Sequence, residues 1–519
     1  MRTEAPLQRR LLLSAFTNWL AFAATLLVSF FLSPYLIHKL QDGPYGVWVY
    51  AESILSYFTL FDLGIAACLV RFVARFHTTG SQQELNKLAS SCLVLFLGLG
   101  LAVFVVGAVL TPLFVPPMLK SGLPAEELTG FLLLMLGNLA FTLPLSLFPA
   151  MLDGLERFAA KSLIRIIFLA IKTIGTIILM ERQPGLMNLG LLHTACNLAE
   201  NVVLALLTFA YLPKLRFSRK LVDRVTFRMV RGYSIDAFLI MLSGRVCVQS
   251  AAIVIGMYLD TPSITWFAIS LRLVEYSKSL LRSATITLTP AISSMEAAGD
   301  LHGVRRMFRN ATRWVLYLIF PVQIGLIMFG KPFIRIWMGS ADYAERCYPS
   351  LVILSTTLSI VVAQSIAARI LYGMDRLRWY ARISILEAGM NLGLSLLLIH
   401  SYGIEGVALA TAIPNAVSCL AIIVMSCWCL RIGIYPYLVG SWIKPLVAAA
   451  LVGLIWHQAH WHIASWFDLG RAILSGLAPY AIMVLLLEGF WRKVFARFRV
   501  STESSAATGL VPVERRLVG

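Results

Sequence analysis

Apolar residues run through this chain in long blocks separated by short polar links. Blocks of about twenty residues or more fall at 11–37, 45–70, 89–116, 129–152, 162–180, 187–212, 233–258, 262–290, 313–330, 347–372, 383–400, 404–430, 443–463 and 470–490. As helices, such blocks are long enough to cross a hydrocarbon layer of about 30 Å. The pattern predicts an all-α polytopic membrane protein with about fourteen transmembrane helices. Trp, His and Pro interrupt the pair after 443, the least regular of the set. The alternating segments of about ten residues that build a membrane barrel do not occur.

The polar links repeat. "DGPYGVW" (42–48) and "DTPSITW" (260–266) share Asp, Pro and Trp at an offset of 218, each between the first and second span of a six-span block. "LDGLERF" (152–158) matches "LYGMDRL" (371–377) at offset 219, and "TPLF" (111–114) matches "KPFI" (331–334) at offset 220. Common order and near-constant offset indicate a duplication. Six spans is an even number, so both copies enter the membrane in the same sense, as two lobes related by a pseudo-twofold along the membrane normal. The expected organisation is an N-lobe at 1–213, a basic cytoplasmic loop at 214–232, a C-lobe at 233–430, two further spans at 431–490 and a basic tail at 491–519.

Composition agrees, with 59% hydrophobic and 13% charged residues against about 25% charged in soluble domains. Counted with the adjoining span edges, 31 of the 44 Lys and Arg fall on one side, 7 on the other and 6 within spans. The positive-inside rule then puts both termini in the cytoplasm, in a multi-pass bacterial inner-membrane protein. The same asymmetry explains the net charge of +18. "KLRFSRKLVDRVTFRMVR" (214–231) therefore reads as an anchor on an anionic leaflet, and no nucleic-acid partner is expected. The eight cysteines form no CxxC pair. "HQAHWH" (457–462) could supply metal ligands, but an interfacial Trp/His belt is the favoured reading. No Walker loop, GxSxG elbow or HExxH occurs, so neither an enzyme nor a bound cofactor is expected.

Chemistry concentrates in "RLVEYSKSLLR" (272–282), inside the apolar block 262–290. Each buried charge there costs about 2.5–3.5 kcal/mol even on the milder insertion scale. Arg272, Glu275, Lys278 and Arg282 fall within about 120° of helical arc. Subtracting 218 places them on Ile54, Tyr57, Leu60 and Gly64, so the duplicate helix is built without these charges. The span interiors hold Lys172, Arg245, Arg272, Lys278, Arg282 and Arg369 against Glu52, Glu200, Glu275 and Glu387, with Asp62 and Asp236 nearer an edge. An excess of Arg suits phosphate or carboxylate. Arg245, Arg272, Lys278, Arg282, Arg369 and Lys172 are the candidate substrate-binding residues, expected around a cavity between the lobes. Glu275 is the candidate coupling residue, for H+ or Na+, with Asp236 and Glu52 next. The competing reading is structural: Glu275 pairs with Lys278, Arg282 or Arg245 only to register the bundle. The loops carrying Glu156, Arg157, Asp375 and Arg376 are either plain turns or gates, in which Glu156 and Asp375 reach Arg71 or Arg305 across the lobes.

The stretch "GPYGVWVYAESILSYFTLFDLGIAACLVRFVAR" (43–75), with its YGxW entry, its DLG and the following Arg71 and Arg75, and the GLERF-type loop with its 373–377 partner, resemble the prokaryotic polysaccharide transporter family. This is the O-antigen flippase type of the multidrug/oligosaccharidyl-lipid/polysaccharide exporter superfamily. The resemblance implies a flippase for undecaprenyl-pyrophosphate-linked oligosaccharide, working by alternating access, with membrane lipids, a polysaccharide polymerase and chain-length machinery as partners. A multidrug antiporter and a flippase for a lipid-linked peptidoglycan precursor are the alternatives within the superfamily. A membrane glycosyl- or phosphotransferase is the alternative outside it.

Overall fold

A backbone in lipid must satisfy its own hydrogen bonds, and within one segment only a helix does so. The computed structural model describes the chain except residues 1–3, 63–64, 223–234, 286–287, 375, 460 and 508–519. Side chains at 4–16, 18, 61–62, 67, 235–237, 280, 282–285, 290, 377 and 490–507 are likewise not described. Among the described residues the regular structure is helical throughout. The first lobe comprises α1 (Glu4–Leu40), α2 (Asp42–Phe58), α3 (Ile65–Thr78), α4 (Gln82–Met118), α5 (Ala125–Leu145), α6 (Leu147–Gly154), α7 (Phe158–Arg182) and α8 (Leu186–Tyr211). The second comprises α9 (Ile235–Tyr258), α10 (Thr261–Thr285), α11 (Leu288–Ala297), α12 (Leu301–Met338), α13 (Ala341–Thr356), α14 (Leu358–Gly373) and α15 (Leu377–Cys429). α16 (Ile434–Ser441), α17 (Ile443–Gln458) and α18 (Trp466–Ala507) follow and lie against α12.

Among the described residues nine stretches are long and apolar enough to cross a bilayer, or eleven if the bent pairs α13–α14 (41°) and α16–α17 (44°) each form one span. α15 holds two spans, because Gly403 adopts a left-handed φ of 54° and breaks it. α2, with 17 residues, and the charged α10 fall outside that test. Counted with them, the number returns to the fourteen expected. One expected span is divided. The run 45–70 leaves the α-helix at Phe58 for a 3-10 turn at Thr59–Asp62, and α3 follows from Ile65; Asp62 is a poor helix former. The run 262–290 holds α10 to Thr285 and α11 from Leu288, with 286–287 outside the described residues.

Leu27, Phe31, Val109, Leu397 and Leu485 are 61–72% exposed. Leaving such side chains in water forgoes about 1.5–3 kcal/mol each, so these faces belong in lipid. The lobes meet along α2, which packs on α9 and α10. Gly46 permits that approach: a Cβ there would lie 1.9 Å from the Thr261 carbonyl oxygen. At the other end of the second lobe, Glu488 fastens the last spans to α12. It lies 3.3 Å from Arg313 and 3.5 Å from Lys444, and it accepts the Tyr317 hydroxyl at 3.2 Å.

Candidate functional site

Two faces are distinguished here by the start of α1: the terminal face, where it begins, and the opposite face, where it ends. α10 carries the charged stripe and packs on α2 of the other lobe. Arg272 lies between the lobes. Its Nη1 donates to the Ser33 hydroxyl of α1 at 2.7 Å, and its guanidinium centre is 5.6 Å from the ring of Tyr45. Ser33 is available because its own hydroxyl proton goes back to the Ser29 carbonyl at 2.7 Å. Glu52 of α2 is within electrostatic reach of both Arg272 and Lys172.

Farther along α10 the stripe turns away from this interface. Lys278 donates to Glu275 at 3.0 Å, and both line a cavity of about 450 Å³ inside the second lobe, together with Arg245, Gln364, Tyr380, Glu387 and Asn415. Asn415 donates to Glu387 at 2.7 Å, and Arg245 is exposed. The expectation that Arg272 and Lys278 share one inter-lobe cavity is therefore replaced by a division. They stand about 120° apart on the helix, and α10 is a corner helix with a different neighbour on each side. Arg369, on α14, is half-buried with its Nε unpartnered and does not line this cavity. The side chains of Arg282 and Asp236 lie outside the described residues.

Lys172 belongs to the first lobe. With Thr25, Arg165, Asn197 and Glu200 it lines a pocket of about 250 Å³ between α1, α7 and α8. Its Nζ is 3.2 Å from His193 Nε2, and Arg165 lies 3.9 Å from Glu200. In the expected gating loops, Glu156 is exposed in a left-handed turn at φ 58°. Arg157 lies 4.5 Å from the ring of Tyr211, and Arg305 donates to the Leu430 carbonyl at 2.7 Å. These contacts stay on the near side of the lobe boundary; Arg376 is exposed, and Asp375 lies outside the described residues.

What sequence reasoning missed is a seal on the opposite face. Asp42 accepts the Trp266 indole N–H at 3.0 Å on one carboxylate oxygen and the Tyr343 hydroxyl on the other. Its backbone oxygen accepts the Thr265 hydroxyl at 2.7 Å. Lys120 reaches across to the end of α9, donating to the carbonyls of Gly256 (3.4 Å), Met257 (3.2 Å) and Leu259. A cation there meets the negative end of the helix dipole. Arg346 covers the other side of Trp266, 4.3 Å from the ring. The signal was present in the repeated Asp-x-Pro-x-x-x-Trp link, but its two copies do different work. Asp42 of the first copy bonds Trp266 of the second, whereas Asp260 caps its own helix through Ser263 at 2.8 Å and Trp48 turns inward onto Phe131 and His193. Among the described residues, the side-chain hydrogen bonds between the lobes, including Trp337 to the Phe30 carbonyl at 3.0 Å, gather in the half nearer the opposite face. The molecule is closed on that side.

The chain is thus a two-lobed membrane bundle, sealed at one face and carrying cations at bilayer depth. The family profile described as "Lipid II flippase MurJ" matches residues 63–477. The "Probable low-salt glycan biosynthesis flippase Agl15" of Haloferax volcanii is 24% identical over 165 residues, 32% of this chain and 34% of that protein. The "Probable lipid II flippase MurJ" of Vibrio cholerae is 27% identical over 164 residues, 30% of this chain and 31% of that protein. The chain thus aligns with about a third of the length of each of these two relatives. A solved structure described as "Lipid II flippase MurJ, inward closed conformation" superposes with a TM-score of 0.74 at 17% identity, covering 93% of this chain and 100% of that one, which shows a common fold. The chain belongs to the lipid II flippase MurJ family.

Proposed function

We propose that the protein carries a polyprenyl-diphosphate-linked saccharide from the terminal face to the opposite face by alternating access between its lobes. The reading rests above all on Arg272. A cation at that depth costs about 2.5–3.5 kcal/mol or more, and the equivalent position in the first repeat is Ile54, so the fold itself does not require the charge. A guanidinium has five N–H donors in a fork that matches a diphosphate, and in the closed form Ser33 and Tyr45 engage part of that fork. Lys278 and Arg245 in one lobe and Arg165 and Lys172 in the other extend the positive surface on both sides. Glu275, beside Lys278, is assigned the coupling role for H+ or Na+. With the Asp42 seal closed, substrate reaches the cations from the terminal face, which the Lys and Arg count makes cytoplasmic.

Two head groups fit this class. A peptidoglycan precursor follows the family; an oligosaccharide repeat unit, as carried by the O-antigen type, follows the motifs and the glycan-flippase relative. Reconstituted vesicles offered each lipid in turn decide both questions. The wild type should move at least one, Arg272→Ala neither, and Arg272→Lys should move it slowly, since an ammonium keeps the charge without the fork. Transport by Arg272→Ala at the wild-type rate refutes the reading, and the ratio of the two wild-type rates assigns the head group.

A further inference from the structure

Each lobe holds a polar pocket of its own, and the repeat places the two at matching positions. The first, of about 250 Å³, lies between α1, α7 and α8; the second, of about 450 Å³, is lined chiefly by α9, α10, α14 and α15. Thr25 and Ser243, on the first span of each lobe, are 218 residues apart, and so are Asn197 and Asn415 on the sixth. That is the offset of the Asp-Pro-Trp links. Each wall also carries an aromatic ring, Phe168 in one and Tyr380 in the other. Cations and carboxylates mix in both: Arg165 and Lys172 with Glu200 in the first lobe, Arg245 and Lys278 with Glu275 and Glu387 in the second.

The shared asparagine separates a pocket from a packing contact. Asn197 donates to Asn138 at 3.1 Å, whereas Asn415 donates to Glu387 at 2.7 Å. A residue kept only for one packing bond would make that same bond in both lobes. Here the partner differs, and what the two copies have in common is an amide fixed in a pocket wall. Both pockets flank Arg272. Glu275 is three residues along α10 from it, and Glu52 is within electrostatic reach of both Arg272 and Lys172. A group joined to a diphosphate on Arg272 therefore has a pocket on either side. Charge narrows what enters. The ammonium and guanidinium groups in each wall oppose a metal cation, and the carboxylates oppose a second phosphate. A pyranose ring satisfies both walls, because its hydroxyls donate as well as accept and its C–H face packs against an aromatic ring.

We propose that these twin pockets bind the sugar residues of the head group, with Asn197 and Asn415 as specificity-determining residues, while Arg272 holds the diphosphate. This rests on the transport reading and adds to it the part of the substrate that each lobe recognises. The full chain is titrated with undecaprenyl diphosphate, with a peptidoglycan precursor lipid and with an oligosaccharide repeat-unit lipid, and dissociation constants are read by native mass spectrometry. In the wild type at least one saccharide lipid should bind roughly tenfold or more tighter than the bare diphosphate. Asn197→Ala and Asn415→Ala should each weaken that lipid about three- to tenfold. Their constants for bare undecaprenyl diphosphate should stay close to the wild-type value, which also reports that the variants are folded. Phe168→Leu, which removes only the ring, should act in the same direction. Arg272→Ala should weaken all three lipids alike; if it weakens none, the transport reading fails, while the saccharide preference is still read from the asparagine variants. The twin-pocket assignment is overturned by saccharide lipids that bind no tighter than the bare diphosphate. It is equally overturned by asparagine variants that bind every lipid as the wild type does, that lose all three equally, or that alter only the dependence of binding on Na+.

Discussion

Replacing Asp42 by Asn should open the opposite face without unfolding the protein. The two carboxylate oxygens of Asp42 each accept one hydrogen bond from the other lobe, from Trp266 at 3.0 Å and from Tyr343. An amide of the same shape keeps one accepting oxygen for the indole, but its nitrogen can meet the Tyr343 hydroxyl only by donating to it, so both bonds lose their charged acceptor. A hydrogen bond to a charged acceptor contributes about 1.5–3 kcal/mol against about 0.5–1.5 kcal/mol for a neutral one, and over the two bonds at this half-buried position the loss is about 1.5–2 kcal/mol. At about 1.4 kcal/mol per factor of ten, that is roughly a tenfold to thirtyfold shift in the ratio of closed to open forms. Asp42→Ala loses both bonds and should shift it further, although the Thr265 bond to the backbone oxygen at position 42 survives. The assay is pulsed electron paramagnetic resonance between labels at Glu126→Cys and Tyr402→Cys, both exposed, in a variant lacking the eight native cysteines. A longer-distance population should appear in Asn and dominate in Ala. Distance distributions identical to wild type in both variants would show that the seal does not hold the lobes together.

Gly46→Ala should act on the same interface from the backbone side: the new methyl would lie 1.9 Å from the Thr261 oxygen, and relieving it should cost about 1–3 kcal/mol, seen as a lower melting temperature or a wider label distance. Glu275→Gln should leave substrate binding intact while making vesicle transport insensitive to an imposed H+ or Na+ gradient; unchanged gradient dependence moves the coupling site elsewhere, with Glu52 and Asp236 next. Glu488→Gln leaves Arg313 and Lys444, each under a fifth exposed, without their shared carboxylate, and should lower thermal stability by about 1–3 kcal/mol, less than a fully buried pair would lose. A melting curve like that of the wild type would place this cluster among the dispensable contacts.

Much of the architecture was legible in the sequence because the bilayer asks one simple question of each segment. Apolar runs of the right length must be helices, so the fourteen spans followed from hydropathy, and the offset motifs announced two lobes. Depth was legible as well: Arg272 and Lys278 had to lie within the hydrocarbon layer, whatever surrounded them. Direction was not. Six residues of α10 rotate its side chains by about 240°, so whether those two cations face one cavity or two depends on which helices flank α10, and that is a matter of packing. The turn after Phe58 had Asp62 in plain sight, yet an apolar run hides a turn that tertiary contacts can satisfy. The seal was the least legible feature. Asp42 is separated from Trp266 and from Tyr343 by more than two hundred residues, and Asp42 and Trp266 belong to repeated links that look alike. Once the lobes are docked, Asp42 is presented to the other lobe, whereas Asp260 finds its nearest donor at the start of its own helix. Sequence sets which groups a helix carries and how deep they sit; the docking of one helix on another decides what each group meets.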